Sequence, residues 1–302
     1  MKLLVICNSS AGGADDDALR TVLRTLEEGA DVLTYEDPDD LASVLAAHPD
    51  RVPVAVGGDG SLHALVAALA ARGELGDRTV GLVPLGTGND LARGLGIPLD
   101  PREAARVVLD GHTRALDLLT DDRGGIVVNA VHVGVGAQAS EQAAPLKPFL
   151  RRTAYAVGAV LAGLRARGWR LRITVDGTPV ADGRRRVLMA GIGNGTTIGG
   201  GTPLTPAARP DDGLADVVVS FAVSLPARLG FALLLRRGEH RSRADVRTYR
   251  GGEITIAGEA VPVNADGELG AAVTRRTWTV LPGAWRILAP EADAAGQAGV
   301  TR

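Results

Sequence analysis

Along the first third of the chain, apolar positions follow two alternating rhythms. Residues 3–7 form a continuous apolar run of strand length. Ala18, Leu19, Val22, Leu23 and Leu26 then recur at helical spacing. Residues 31–35 read as a strand, 41–47 as a helix, 52–56 as a strand, 62–71 as a helix and 80–83 as a strand. Short apolar strands alternating with amphipathic helices predict a parallel sheet with helices on both faces. Segments rich in Gly and Asp stand where strands hand over to helices, and in such folds those loops line the ligand crevice.

After about residue 116 the texture changes. Residues 127–135, 171–175, 187–192, 215–219, 254–256 and 278–281 are short β-type runs separated by Gly, Pro and Asp. Only two helical stretches intervene, near 153–166 and 226–235. This pattern predicts a second domain, an antiparallel β-sandwich. The tail, 291–302, is rich in Ala and Gly and is expected to fray. There is no internal repeat.

Composition narrows the functional classes. The 302 residues allow one large domain or two ordinary ones, and 45% apolar content can fill their cores. A net charge of -2 argues against a bulk nucleic-acid binder, so no nucleic-acid partner is expected. Lysine occurs only at Lys2 and Lys147, a bias read as codon usage. The single cysteine, Cys7, rules out an internal disulfide and fits a cytoplasmic location, where it is expected as a buried, inert thiol. The opening apolar run is too short for a signal peptide and lacks a small-residue cleavage site. No stretch approaches the roughly 18 apolar residues of a membrane span, so no transmembrane segment is expected.

Two glycine loops carry candidate chemistry. The first, V-A-V-G-G-D-G-S-L-H at 54–63, follows a strand and opens a helix. Glycines there let backbone amides approach an anion, and the helix N-terminus favours phosphate. Asp59 would hold Mg²⁺, orient a loop group, or simply cap the helix as in any tight turn. It is not a Walker loop, because G-x-x-x-x-G-K-[ST] is absent, and there is no H-R-D or D-F-G. His63 is expected as a polar packing residue, and the five histidines form no cluster at metal-ligand spacing. The second loop, V-P-L-G-T-G-N-D-L-A-R at 83–93, again joins a strand to a helix. Thr87 offers a hydroxyl, Asn89 an amide and Asp90 a carboxylate or cap. Two such loops on neighbouring strands would converge on one crevice.

G-G-D-G-S followed by P-L-G-T-G-N-D-L-A-R resembles the diacylglycerol kinase catalytic domain family of lipid kinases. The likeness continues through Gly193-Asn194, Gly199-Gly200-Gly201, Pro206-Ala207, the D-D-G-L-A-D-V block at 211–217, and Asn264-Ala265-Asp266-Gly267-Glu268. It spans most of the chain in order. The resemblance implies an α/β N-terminal nucleotide-binding domain (1–118, with a C-terminal return at about 282–302). It implies a C-terminal antiparallel β-sandwich domain for the lipid (119–281), with the active site in the interdomain cleft. ATP and Mg²⁺ are the implied cofactors.

The resemblance also implies roles. Gly57, Gly58, Asp59, Gly60, Ser61, Leu62, His63, Thr87 and Asn89 would bind ATP, with Asn8 and Thr34 at the ends of the first two strands. The N-S-S-A-G-G segment at 8–13 resembles the family's phosphate-side loop but has Ser9 in place of proline. Asp59, Asp90 and Asp117 would form a water-mediated Mg²⁺ network. Arg209, Asp212 and Leu214 would hold a structural Mg²⁺, Asp212 by its carboxylate and the others by carbonyls; the bland alternative is a D-G turn before a strand. Asp266 or Glu268 would accept the proton of the lipid hydroxyl. Spaced by two in an extended chain, both would face one side. Without the family, D-G reads as a hairpin turn, and the sequence does not choose between the two carboxylates.

Three hypotheses follow. The first is an ATP-dependent lipid kinase that meets its substrate at a membrane surface as a peripheral visitor. The second is an NAD kinase-like enzyme, which would share the G-G-D-G loop. The third is a non-catalytic nucleotide- or lipid-binding regulator, against which the retained D-G-E motif argues. The resemblance allows a homodimer. Arg151-Arg152, Arg184-Arg185-Arg186 and Arg236-Arg237 are candidate contacts for anionic headgroups or, more simply, solvated faces.

Overall fold

The computed structural model describes residues 2–8, 16–26, 30–35, 37, 40–137 and 167–291. The expected helix at 153–166, the 9–13 loop, the Arg151-Arg152 pair, Lys147 and the tail beyond 291 lie outside the described residues. The chain divides into two compact units: residues 1–86, 92–115 and 285–302, and residues 87–91 and 116–284.

The first unit contains β1 (Leu3–Asn8), α1 (Asp16–Thr25), β2 (Ala30–Tyr35), α2 (Asp40–Ala47), β3 (Val52–Gly57), α3 (Asp59–Ala71), β4 (Thr79–Pro84), most of α4 (Asp90–Leu95), and α5 (Pro101–Asp110). Its strands run parallel in the order β2-β1-β3-β4. Leu3 to Ile6, Val54 to Val56 and Leu82 and Val83 are buried, as strands covered on both faces must be. That is why they read as unbroken apolar runs. Asp100 caps α5 by accepting from the amides of Arg102 and Glu103, both at 3.0 Å; Pro101 pre-sets the first turn and Gly111 ends the helix at φ 74°. The guanidinium of Arg78, 9% exposed, donates to the carbonyls of Leu45, His48 and Arg51 and so fastens the α2–β3 connection.

The second unit is antiparallel. It holds β6 (Ile126–Val127), β7 (Ala130–Gly134), β8 (Trp169–Val175), β9 (Thr178–Val187), β10 (Met189–Gly193), β11 (Ala215–Ser220), α6 (Leu225–Arg237), β12 (Val246–Gly251) and β13 (Glu253–Ala265). β5 (Thr113–Asp121) enters it, and β14 (Glu268–Leu288) leaves it to pair in parallel with β4 through Arg286 and Ile287. One run of strands is β12-β11-β10-β7-β13-β14. β13 changes partners along its length: residues 254–258 pair with β8 and 263–265 with β7. Gly258 sits at the change, at φ 143°, where a Cβ would lie 2.2 Å from the Arg170 carbonyl oxygen. This shared, bent strand folds the unit into a sandwich around Val131, Val133, Ile173, Ile192, Val217, Val219, Ile254 and Trp278. A smaller core of Leu188, Met189, Leu204, Val218, Phe231 and Val246 lies under α6.

Several elements differ from the pattern-based expectation. The run 127–135 is broken at Val128-Asn129, and 187–192 is broken at Leu188. β9 and β12 carry mostly exposed polar positions and gave no apolar signal. β14 runs for 21 residues, far beyond the apolar stretch 278–281, because its first half is solvent-facing.

Candidate functional site

In the first unit, Asn8, Tyr35, Gly57 and Pro84 end four adjacent parallel strands. Asn8 and Thr34 are thereby at the carboxyl edge of the sheet, although their side chains lie outside the described residues. β3 hands over to α3 almost at once. Gly58 is the N-cap, and its carbonyl accepts from the amides of Ser61 (3.1 Å) and Leu62 (3.2 Å). The amide of Leu85 donates to the Gly57 carbonyl at 2.9 Å, tying this loop to the end of β4. The first turn of α3 thus closes on Gly58, and the helix dipole adds positive potential at this end.

The two flanking glycines differ. A Cβ on Gly57 would lie 2.3 Å from the Ser61 hydroxyl, so packing alone requires glycine there. At Gly60 a Cβ would meet nothing within 4 Å, and the residue is exposed within a helix. Glycine in a helix costs roughly 1 kcal/mol relative to alanine. Among the described residues neither packing nor backbone conformation accounts for Gly60; close approach of a ligand to the backbone would. Leu62 is buried in the core, while Asp59, Ser61 and His63 are half-buried.

In the second unit three aspartates organise the loops. Asp90, 5% exposed, accepts from the Thr197 hydroxyl and the amides of Gly200 and Gly201, each at 2.8 Å. Asn89 precedes it at φ 52°, and Thr87 is exposed. Asp117, 2% exposed, accepts from the amides of Gly213 (2.7 Å) and Gly283 (2.8 Å). Asp266 accepts from the amides of Val128 (2.6 Å), Asn129 (2.9 Å) and Ala130 (3.0 Å). These bonds explain the break between β6 and β7: the amides there turn to a carboxylate and not to a neighbouring strand. Two asparagines knit the same loops. Asn194 donates to the carbonyls of Asp117 (2.9 Å) and Val128 (2.8 Å), and Asn129 donates to that of Thr197 (2.9 Å).

The D-G-E segment corrects one geometric expectation. Asp266 (φ 48°) and Gly267 (φ 90°) are the two central residues of a tight hairpin, and Ala265 pairs with Glu268. Asn264 reinforces the turn by accepting from the Gly267 amide at 3.0 Å. Asp266 and Glu268 therefore do not share one side of an extended strand. The positive-φ turn swings Asp266 onto the 128–130 amides and leaves Glu268 exposed on the returning strand.

The residues of the two expected metal sites have partners within the chain. Asp212 accepts from the Leu214 amide at 3.2 Å through one oxygen and pairs with the Arg250 guanidinium through the other. Arg250 also reaches Asp216 at 3.1 Å, whose carboxyl burial pushes above its usual range. In the Arg209–Asp212–Leu214 set the Asp212 carboxylate thus faces the Arg250 guanidinium. Arg209 itself pairs with Asp211 at 3.5 Å. In the implied Asp59–Asp90–Asp117 network, Asp90 and Asp117 are committed to loop donors. Among the described residues no three His, Cys, Asp or Glu side chains gather as a metal site.

Sequence reasoning missed Asn129, Thr197 and Arg250, and gave Asn264 no role of its own. The signal for Asn129 was present, as a lone amide interrupting the apolar run 127–135. No pattern marked Arg250. Outside the site, burial pushes the Cys7 thiol up to about 11 and His132 down to about 4.

Comparison with known proteins accounts for both units. Residues 2–120 match the model of the diacylglycerol kinase catalytic domain. Residues 129–289 match that of the YegS C-terminal NAD kinase beta sandwich-like domain. The chain is 35% identical over 247 residues to a "Probable lipid kinase YegS-like" of Stenotrophomonas maltophilia, covering 78% of this chain and 79% of that one. It is 33% identical to a protein of the same name from Pseudomonas aeruginosa, over 95% and 94% of the two chains. A "Diacylglycerol kinase" of Mycobacterium tuberculosis is 29% identical over 93% and 92%. Among solved structures, a diacylglycerol kinase from Bacillus anthracis shares the fold at a TM-score of 0.76, with 23% identity, over 95% and 96% of the chains.

Proposed function

The chain belongs to the diacylglycerol kinase catalytic domain family, and from that premise we propose that it transfers the γ-phosphoryl group of ATP to the hydroxyl of a lipid. The nucleotide phosphates are assigned to the N-terminus of α3, with Gly60 leaving room for their approach. Magnesium would enter with the nucleotide and neutralise phosphate charge.

The observation that carries the chemical assignment is the divided fate of the D-G-E carboxylates. Asp266 is taken up by three amides, while Glu268 stands exposed two residues on. Glu268 is the group we assign to the acceptor. It orients the lipid hydroxyl and takes its proton as the oxygen bonds to the γ-phosphorus, and the bridging bond to ADP breaks. Asp266 is a positioning residue that holds the hairpin on which Glu268 rides.

The name of the Mycobacterium tuberculosis relative makes diacylglycerol the first acceptor to try, and a sphingoid base the second. The test is incubation with γ-labelled ATP, Mg²⁺ and a mixed-lipid extract, beside a parallel reaction with NAD. Label in the organic phase is the expected result. Label in NAD alone overturns the proposal.

A further inference from the structure

Helix α6 presents an apolar stripe to the outside. Phe231, 3% exposed, anchors it to the small core of the second unit, with Ala227 and Leu235 beside it. On the opposite side Leu225, Leu229 and Leu233 are 47%, 54% and 55% exposed. Their spacing of four places all three on one face of the helix. Single exposed leucines need no explanation, but three in one stripe do. The other exposed large apolar side chains, Val32, Leu99, Leu109, Leu269 and Leu281, are scattered over the described residues.

Charge accompanies the stripe. α6 contains Arg228, Arg236 and Arg237 and neither Asp nor Glu, in a chain whose net charge is -2. Arg236 and Arg237 are exposed in its last turn, and Arg241 is exposed just beyond, next to Glu239; the other acidic group near the helix, Asp245, is paired with Arg243. At about 100° per residue, Arg236 falls in the angular sector of the three leucines. Leucines ending in cations on one face fit an interfacial helix, lying in the plane of a headgroup layer with anionic lipids against its arginines. At 13 residues the helix is too short to span a membrane.

We propose that α6 is the surface by which this protein docks on anionic membranes, with Leu225, Leu229 and Leu233 inserted among the lipids and Arg236 and Arg237 against their phosphates. The proposal rests on the lipid-kinase reading, which requires the protein to reach a membrane-held acceptor. A docking face separate from the reacting groups lets the enzyme stay on the surface between turnovers, while Glu268 and the α3 loop handle the chemistry.

The test is co-flotation with phosphatidylcholine vesicles, with and without phosphatidylglycerol. The proteins compared are the unaltered chain, the double variant Leu229→Ser/Leu233→Ser, and the double variant Arg236→Ser/Arg237→Ser. All four side chains are exposed or nearly so, and circular dichroism melting checks that both variants fold. The unaltered chain is expected to float only with phosphatidylglycerol present. Each variant should bind about tenfold or more weakly, and added salt should weaken the unaltered chain but matter less for the arginine variant. A parallel assay uses a short-chain, water-soluble diacylglycerol, on which both variants should keep full activity. If the unaltered chain does not float, or the variants float equally well, docking through α6 is overturned, and activity on the soluble acceptor shows that the kinase reading survives. If floating follows the pattern but no lipid is phosphorylated, the kinase reading fails and the docking surface stands. A dimer in sedimentation that the leucine variant dissolves would also overturn the proposal, because a second copy would be the occupant of the stripe.

Discussion

The α3 loop of the first unit and the aspartate-held loops of the second use backbone amides in opposite ways. In the first unit α3 opens beside glycines, and at one of them, Gly60, a Cβ would meet none of the described residues within 4 Å. In the second, Asp90, Asp117 and Asp266 consume the amides of residues 200–201, 213, 283 and 128–130. A loop that must receive an external anion cannot also be closed by an internal one. A loop that must hold a reacting group still can be, and carboxylates are strong acceptors for the purpose. Similar D-G and G-G segments in the sequence thus divide into a receiving loop and braced loops.

The comparison can be broken most severely at the D-G-E hairpin. Glu268→Gln should lower the turnover rate by about 10²–10⁴-fold, the range of a lost general base, with the melting temperature unchanged. Retained activity would remove Glu268 from the chemistry.

The braced loops should answer in stability instead. Asp117→Ala leaves the buried amides of Gly213 and Gly283 without their acceptor, and Asp266→Ala strips three amides. Each change should cost about 3 kcal/mol in urea unfolding. An unchanged midpoint would show that water replaces these carboxylates.

Acid should test the second unit in a different place. His132 on β7 is buried, and its folded value of about 4 lies below the ordinary 6.5. The unfolded state therefore binds more protons between these values. Stability is full above pH 6.5 and falls as pH drops toward 4, by up to about 3 kcal/mol. His132→Asn should flatten that part of the pH profile, read from denaturant midpoints.

In the receiving loop, Gly60→Ala should leave stability unchanged or raise it by less than about 1 kcal/mol. It should nonetheless raise the KM for ATP, roughly tenfold if the phosphates pass as close to the backbone as assigned. Unaltered nucleotide kinetics would dissociate Gly60 from the phosphates. The smallest effect is expected at Arg250. Arg250→Ala should cost at most about 1 kcal/mol in urea unfolding, because the pair is half-exposed.

Legibility in the sequence followed burial. Parallel strands covered on both faces announce themselves as apolar runs, and β1, β3 and β4 were visible that way; β2, an edge strand with Val32 exposed, was read from its own short run. Strands with one wet face hid: β9 with Arg184 to Arg186, β12, and the exposed first half of β14. The turn chemistry of Asp266-Gly267 was legible as a hairpin signal, and the tight turn is what the structure contains. The role of Asp266 was not, because its partners lie more than 130 residues away in the chain.

The sequence by itself determined the strand–helix alternation from β1 to β4, the two glycine loops and the family, because local patterning and short motifs are properties of neighbouring residues. Only the tertiary structure decided which carboxylates are spent and which remain available. It placed Asp90, Asp117 and Asp266 against loop amides, paired Asp212 with Arg250, and left Glu268 on the surface. The physical reason is that a carboxylate is identical in sequence whether it braces a loop or accepts a proton. What distinguishes the two is the set of donors that folding brings within about 3 Å of its oxygens.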